Sequence, residues 1–136
     1  MAITVFENTT GEPLLGLQVS SLFKEVFIRR GFLVIQDAQK ADFILSGKVN
    51  TFQQVFVSLN AQGQASESRI TIGLEYTVSG KETLKSLINA SADFFNSSDP
   101  VQDKIAQDRA IREASLRLSE KAADEAMRIL DFISWE

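Results

Sequence analysis

The side chains that could do chemistry in this 136-residue chain are carboxylates, lysines and arginines, because it contains no His and no Cys. The first absence removes the commonest general base and transition-metal ligand. The second removes disulfides, thiolate metal sites and thiol nucleophiles. Hydrolase triads built on either residue are excluded. Among the carboxylates, Asp42, Glu75, Asp93 and Asp99 are scattered over different elements, and no pair has a spacing that predicts the facing carboxylates of a glycosidase. No Gly-rich phosphate loop occurs. What remains points to a protein that binds rather than one that turns over a substrate, with no cofactor implied.

The elements that must position these residues follow from periodicity. Ile3-Thr4-Val5-Phe6 reads as a strand, and Glu7-Asn8-Thr9-Thr10-Gly11-Glu12-Pro13 as a polar turn. Residues 14–30 read as a helix, with Val19, Leu22, Phe23, Val26 and Phe27 on one stripe and Lys24, Glu25, Arg29 and Arg30 left for solvent. Pro13 suits a first turn, the two arginines complement the negative end of the helix dipole, and Gly31 can close the helix in a left-handed conformation. Phe32 to Ile35 suggests a short strand. In residues 41–58 the odd positions Ala41, Phe43, Leu45, Val49, Val55 and Val57 are the apolar set, as for a strand with one buried face.

After a turn at residues 60–64, Ile70, Ile72, Leu74, Tyr76 and Val78 alternate with Arg69, Thr71, Gly73, Glu75 and Thr77 in the cleanest strand of the chain. Gly80-Lys81-Glu82 is the next tight connection, and Leu84, Ile88, Ala90, Ala92 and Phe94 form the core side of a returning strand. Asp99 before Pro100 starts a long final helix. Its stripe runs through Ile111, Ala114, Leu118, Ala122, Ile129 and Ile133, widened by Leu116, Ala123, Met127 and Leu130. The expected fold is α+β, a single domain over residues 1–136. Two helices pack on one face of a mostly antiparallel four-stranded sheet in the order β-α-(β)-β-β-β-α, leaving the other face open.

Composition agrees. At 136 residues and 44% hydrophobic content, one domain can bury about two thirds of its unfolded surface. No apolar run approaches the roughly 20 residues that span a bilayer, and no basic segment followed by an apolar signal region opens the chain, which therefore reads as soluble. A net charge of −4 argues against broad nucleic-acid binding, which depends on a basic face to neutralise phosphates.

Binding residues are sought on the open sheet face. If Val49 and Tyr76 are cross-strand core neighbours, and Val78 and Leu84 likewise, then Lys48, Thr77 and Lys85 form a row on the opposite face, with Lys81 in the adjacent turn. These lysines either solubilise an exposed sheet and blunt its edges, or offer charged donors to an anion. The same register sets Arg69 opposite Asp93 and Phe52 opposite Gly73, both ordinary sheet-stabilising pairs. It also makes Phe52, Phe56, Leu87 and Phe95 project from the open face. Large apolar groups on a face that no helix covers suggest a partner surface; otherwise the register differs and some of them are core.

Three segments carry a resemblance: the run from Ile3 to Pro13, the helix end Ile28-Arg29-Arg30-Gly31, and Ala41-Asp42-Phe43-Ile44-Leu45-Ser46-Gly47-Lys48-Val49. With the hairpin pair and the final helix containing Arg109-Ala110 and Glu113-Ala114, the chain resembles the lipopolysaccharide-assembly lipoprotein family, LptE, over nearly its whole length. The resemblance implies a non-enzymatic protein held by an N-terminal lipid at the periplasmic side of a Gram-negative outer membrane. There it would plug a β-barrel translocon, LptD, and help pass lipopolysaccharide outward. Under that reading Lys48, Lys81 and Lys85 are the candidate lipopolysaccharide-binding residues, and Phe52, Phe56 and Leu87 the candidate contacts with the barrel. The chain departs from the family pattern in lacking a signal peptide and a lipidated Cys, and Met1-Ala2 reads as a cloning remnant. Lipoprotein activators of peptidoglycan synthases share the strand, Asn-Thr turn, helix ending in Gly and Ala-Asp-hydrophobic strand, and form the alternative. Glu12-Pro13-Leu14 leading into the helix, and the arginine pair before Gly31, favour the first.

Overall fold

A computed structural model describes residues 1–80, 83–97 and 99–134, with side chains outside residues 65 and 129–134. In chain order the elements are β1 Ala2–Ile3, β2 Glu7–Asn8, α1 Leu15–Arg29, β3 Ile44–Leu59, β4 Ala65–Ser79, β5 Thr83–Phe95 and α2 Pro100–Ser134, with a short 3-10 turn at Ala38–Lys40 before β3. The fold is α+β, as the periodicities predict. Val19, Phe23, Val26 and Phe27 of α1 and Ala114, Leu118 and Ala122 of α2 are fully buried in one cluster with Leu45, Val49, Ile70, Ile72 and Leu74 of the sheet. Both helices therefore lie over the same sheet face. The stripe residues Ile129, Leu130 and Ile133 lie outside the described side chains.

The sheet is five-stranded and mixed, not four-stranded. Of the expected strand at Ile3 to Phe6 only Ile3 is in a strand, β1, and a second short strand, β2, forms at Glu7–Asn8 where a turn was expected; the two pair in parallel with successive stretches of β3, Ala2 with Ile44 and Asn8 with Val49. Between them Phe6 leaves the ladder and is buried edge-on against Phe23, ring centroids 4.9 Å apart. Phe32 to Ile35 contributes one isolated bridge, Ala2 to Ile35, and no strand. The turn after β2 is held by Asn8, whose Oδ1 accepts from the Thr10 amide at 3.0 Å while its Nδ2 donates to the Glu12 carbonyl at 2.7 Å. This is the local bonding for which Asn is favoured in turns.

Helix boundaries follow the sequence signals. Gly31 has φ +95°, the left-handed conformation that glycine takes at a helix end. Asp99 accepts from the Val101 amide through Oδ1 at 3.0 Å and so caps α2. Arg30 is not left to solvent: its guanidinium donates to Glu120 and Asp124 of α2 and ties the end of α1 to the second helix. Hydrogen bonding to Asp124, before any other cause, raises its pKa above the ordinary arginine value.

The register of β3 on β4 differs from the expected one in two ways, by a shift of two residues up to Val49 and by a bulge after it. Val49 pairs with Leu74 rather than Tyr76, and Thr51 pairs with Gly73, so that Asn50 is the unpaired extra residue. A bulge reverses the facing of every later side chain on its strand relative to simple counting. Gly73 makes room for it: a Cβ there would lie 2.8 Å from Thr51 Cβ. Beyond the bulge the helix side of β3 carries Phe52, Gln54 and Phe56, opposite Ile72, Ile70 and Ser68. Val55 and Val57, expected in the core, are exposed. On β5 the register is as expected, with Arg69 opposite Asp93, Thr77 opposite Lys85 and Val78 opposite Leu84.

Candidate functional site

The open face presents rows of side chains across β3, β4 and β5. One row is Lys48, Glu75 and Leu87; the next is Ser46, Thr77 and Lys85. Lys48 and Lys85 thus share the face, but on a diagonal across β4 rather than in the single row expected through Thr77. Glu75 lies directly opposite Lys48, and its Oε1 is 3.7 Å from Lys85 Nζ. The patch therefore contains two cationic side chains, with Glu75 between them and Glu7 of β2 paired with Lys48 on its other side, and these two carboxylates weaken it for any anion. Lys81, the third candidate, lies outside the described residues. Leu87 stands on this face at 74% exposure and Phe95 at 77%.

The bulge redistributes the aromatic candidates. Phe52 does not project from the open face. It packs half-buried against the helix-side core, opposite Ile72 and not Gly73. Phe56 also falls on the helix side, but the hairpin has by then run past the core and Phe56 is 67% exposed. With Val55, Val57 and Leu59 it makes the far end of the hairpin apolar on both sides. The hairpin is anchored below this end by Gln107 of α2, whose Nε2 donates to Gln54 Oε1 at 2.9 Å.

Other charged groups are engaged with each other. Arg69 holds Asp93 through two bonds, Nε to Oδ1 at 2.8 Å and an Nη to Oδ2 at 3.2 Å. That hydrogen bonding keeps the Asp93 carboxyl below the usual carboxylate range and raises the Arg69 pKa. Along the outer edge of β5, Arg117 donates to the Ser91 carbonyl and Lys121 to the Asn89 carbonyl, so two cationic side chains of α2 cover backbone acceptors of an edge strand. On the helix side Glu125 receives the Tyr76 hydroxyl and the Ser86 hydroxyl. Burial and the bond to Glu125 push the Tyr76 phenol above its ordinary value. Sequence reasoning placed Tyr76 in the core without its partner. The signal available was that a buried tyrosine hydroxyl must find an acceptor. Among the described residues, no group of three His, Cys, Asp or Glu side chains could hold a metal, and no helix is long and apolar enough to cross a membrane.

Comparison with known proteins adds what geometry alone does not supply. A family model described as LptE, lipopolysaccharide-assembly, matches residues 1–128. No curated protein matches the chain. Among solved structures, the fold is similar to rare lipoprotein B from Shewanella oneidensis, with TM-score 0.67 and 12% identity over 100% of both chains. A lipoprotein B from Nitrosomonas europaea gives TM-score 0.56 and 11% identity over 90% of this chain and 78% of that one. A minor lipoprotein from Acinetobacter baumannii gives 0.53 and 10% over 92% of each. At such identities these likenesses establish the shared fold.

Proposed function

Because the chain belongs to the lipopolysaccharide-assembly family LptE, we propose that it is a non-enzymatic, lipid-anchored component at the periplasmic side of the outer membrane. In this role it plugs a β-barrel translocon of the LptD type and helps deliver lipopolysaccharide to the outer leaflet. The observation that carries the reading is the family match over residues 1–128, which takes in every strand and most of α2. The surface supports it. A plug must meet a barrel wall on several sides, and this domain exposes large apolar groups on both sides of its sheet: Phe56 toward the helix side, Leu87 and Phe95 on the open face. Phe56 and Leu87 are the barrel contacts in this reading. Phe52 is not, since it serves the core. Lys48 and Lys85 are the donors for phosphorylated lipid, limited by Glu75.

The test is recovery of the lipidated protein from outer membranes with its partners attached. Wild-type protein should bring down an outer-membrane barrel, and Phe56→Ser with Leu87→Ser should weaken that recovery while leaving the circular dichroism spectrum unchanged. If wild type recovers no barrel, the translocon reading fails; if it recovers a penicillin-binding protein instead, the peptidoglycan-synthase activator reading replaces it.

A further inference from the structure

The sheet manages its two outer edges in opposite ways. The edge of β5 is covered by Arg117 and Lys121 and carries Lys85 and Asp93 along its length. The edge of β3 is covered by β1 and β2 only as far as Val49. Past that point, among the described residues, no backbone hydrogen bond reaches β3 from its outer side. Nor does the sequence protect it: from Val49 to Ser66 there is no charged residue and no proline. Charged side chains and Pro are the usual means of keeping a bare edge from pairing, and the apolar groups Val55, Phe56, Val57 and Leu59 add the opposite tendency.

The backbone phase identifies the groups on offer. Leu45 and Val49, which point to the helices, turn their carbonyls outward to accept from the Thr4 and Thr9 amides. Side-chain facing and peptide direction alternate together along a strand, so after the bulge the outward peptide groups belong to Phe52, Gln54 and Phe56. We propose that this edge pairs antiparallel with the same edge of a second copy of the chain, about a two-fold axis near Gln54.

The absence of charge favours a second copy. Across a two-fold axis each residue meets a residue of its own segment, so a lysine or glutamate near the centre would meet its own like charge. A self-pairing edge must therefore be free of charge near its centre, as this one is, whereas an edge that selects a foreign strand can use complementary charges. With the axis at Gln54, Phe52 of each copy stands opposite Phe56 of the other, and the exposed Phe56 gains a cross-strand aromatic neighbour on both sides of the axis. This inference goes beyond the translocon reading and does not depend on it; since Phe56 is the barrel contact in that reading, the dimer is the form of the chain free of a barrel.

The test uses the isolated chain in analytical ultracentrifugation with three proteins: wild type, Gln54→Lys and Gln54→Glu. Either replacement can keep a hydrogen bond to Gln107, and thermal melts followed by circular dichroism check that each variant is folded. Wild type should show a concentration-dependent dimer. Each variant alone should dimerise about tenfold more weakly or less, from like charges meeting within a strand spacing, and an equimolar mixture of the two should regain dimer. A wild type that stays monomeric overturns the proposal. Variants that dimerise as wild type does, or a mixture of folded monomeric variants that fails to associate, overturn it as well.

Discussion

Replacing Glu75 by Gln should strengthen capture of a phosphorylated lipid. The residue pairs directly with Lys48 on β3, and its Oε1 lies 3.7 Å from Lys85 Nζ. Cross-strand neighbours have Cβ atoms about 5 Å apart, so a phosphate held by Lys48 sits roughly 6 Å from this carboxylate. Like charges at that separation repel by about 0.7 kcal/mol in bulk water and about 3 kcal/mol at the effective dielectric of a protein surface. With tenfold in affinity for about every 1.4 kcal/mol, the range is roughly threefold to a hundredfold. Screening over a Debye length of about 8 Å at physiological salt moves the result toward the lower end. The assay is capture on immobilised lipopolysaccharide at low and physiological salt, with the Lys48→Glu, Lys85→Glu double variant expected to bind less than wild type. If Glu75→Gln binds no more tightly than wild type at low salt and the double variant no less, this face is not where the phosphates sit.

Tyr76 is the only tyrosine in the chain, so phenolate absorbance reports one group. Its folded pKa is raised above the usual value near 10 by burial and by the bond to Glu125. Stability from this site is fully present below that usual value and is lost as pH climbs through the raised one, so phenolate should form only as the fold opens. Phenolate at the ordinary value with unchanged circular dichroism would contradict the assignment. Tyr76→Phe keeps the packing and leaves Glu125 with Ser86 alone. A loss of about 1.5–3 kcal/mol in a urea titration is expected, the range for a bond to a charged group. Deleting Asn50 should leave Phe52 and Ile72 on the same side, since the bulge residue has no partner on β4. The deletion should therefore be less destabilising than Leu74→Ala, for which emptying a core leucine site predicts about 2–5 kcal/mol.

Why some of this was legible in the sequence and some was not comes down to where one period holds. In α1 and in β4 it runs unbroken: Val19, Phe23, Val26 and Phe27, and Ile70, Ile72, Leu74, Tyr76 and Val78, are all buried where the pattern put them. In β3 it does not. The apolar set moves from Leu45 and Val49 to Phe52, an odd-to-even change that counting odd positions passes over and that a bulge at Asn50 produces. The companion signal was Gly73, an interior strand glycine that marks a close backbone approach. Once the phase is reversed, Phe52 leaves the partner surface for the core, and Val55 and Val57 leave the core for the surface. The short strands β1 and β2 were hidden for another reason: two residues each are too few to show alternation, and their place is set by the parallel ladder of β3.

Of the candidate residues, the facing of Lys48, Lys85 and Leu87 was legible and their geometry was not. Lys48, Lys85 and Leu87 do share the open face, because all three lie before the bulge or on β5, whose register the alternation of β4 fixes. Their relative placement depends on a shift of two residues between β3 and β4, which leaves every facing unchanged and so leaves no trace in an alternation pattern. That shift decides the chemistry. It puts Glu75 rather than Thr77 opposite Lys48, and so sets a carboxylate between two lysines where a neutral hydroxyl was expected. An anion held by these lysines would thus be tuned from within β4, by a residue that the sequence pattern assigns only to the solvent side of a strand.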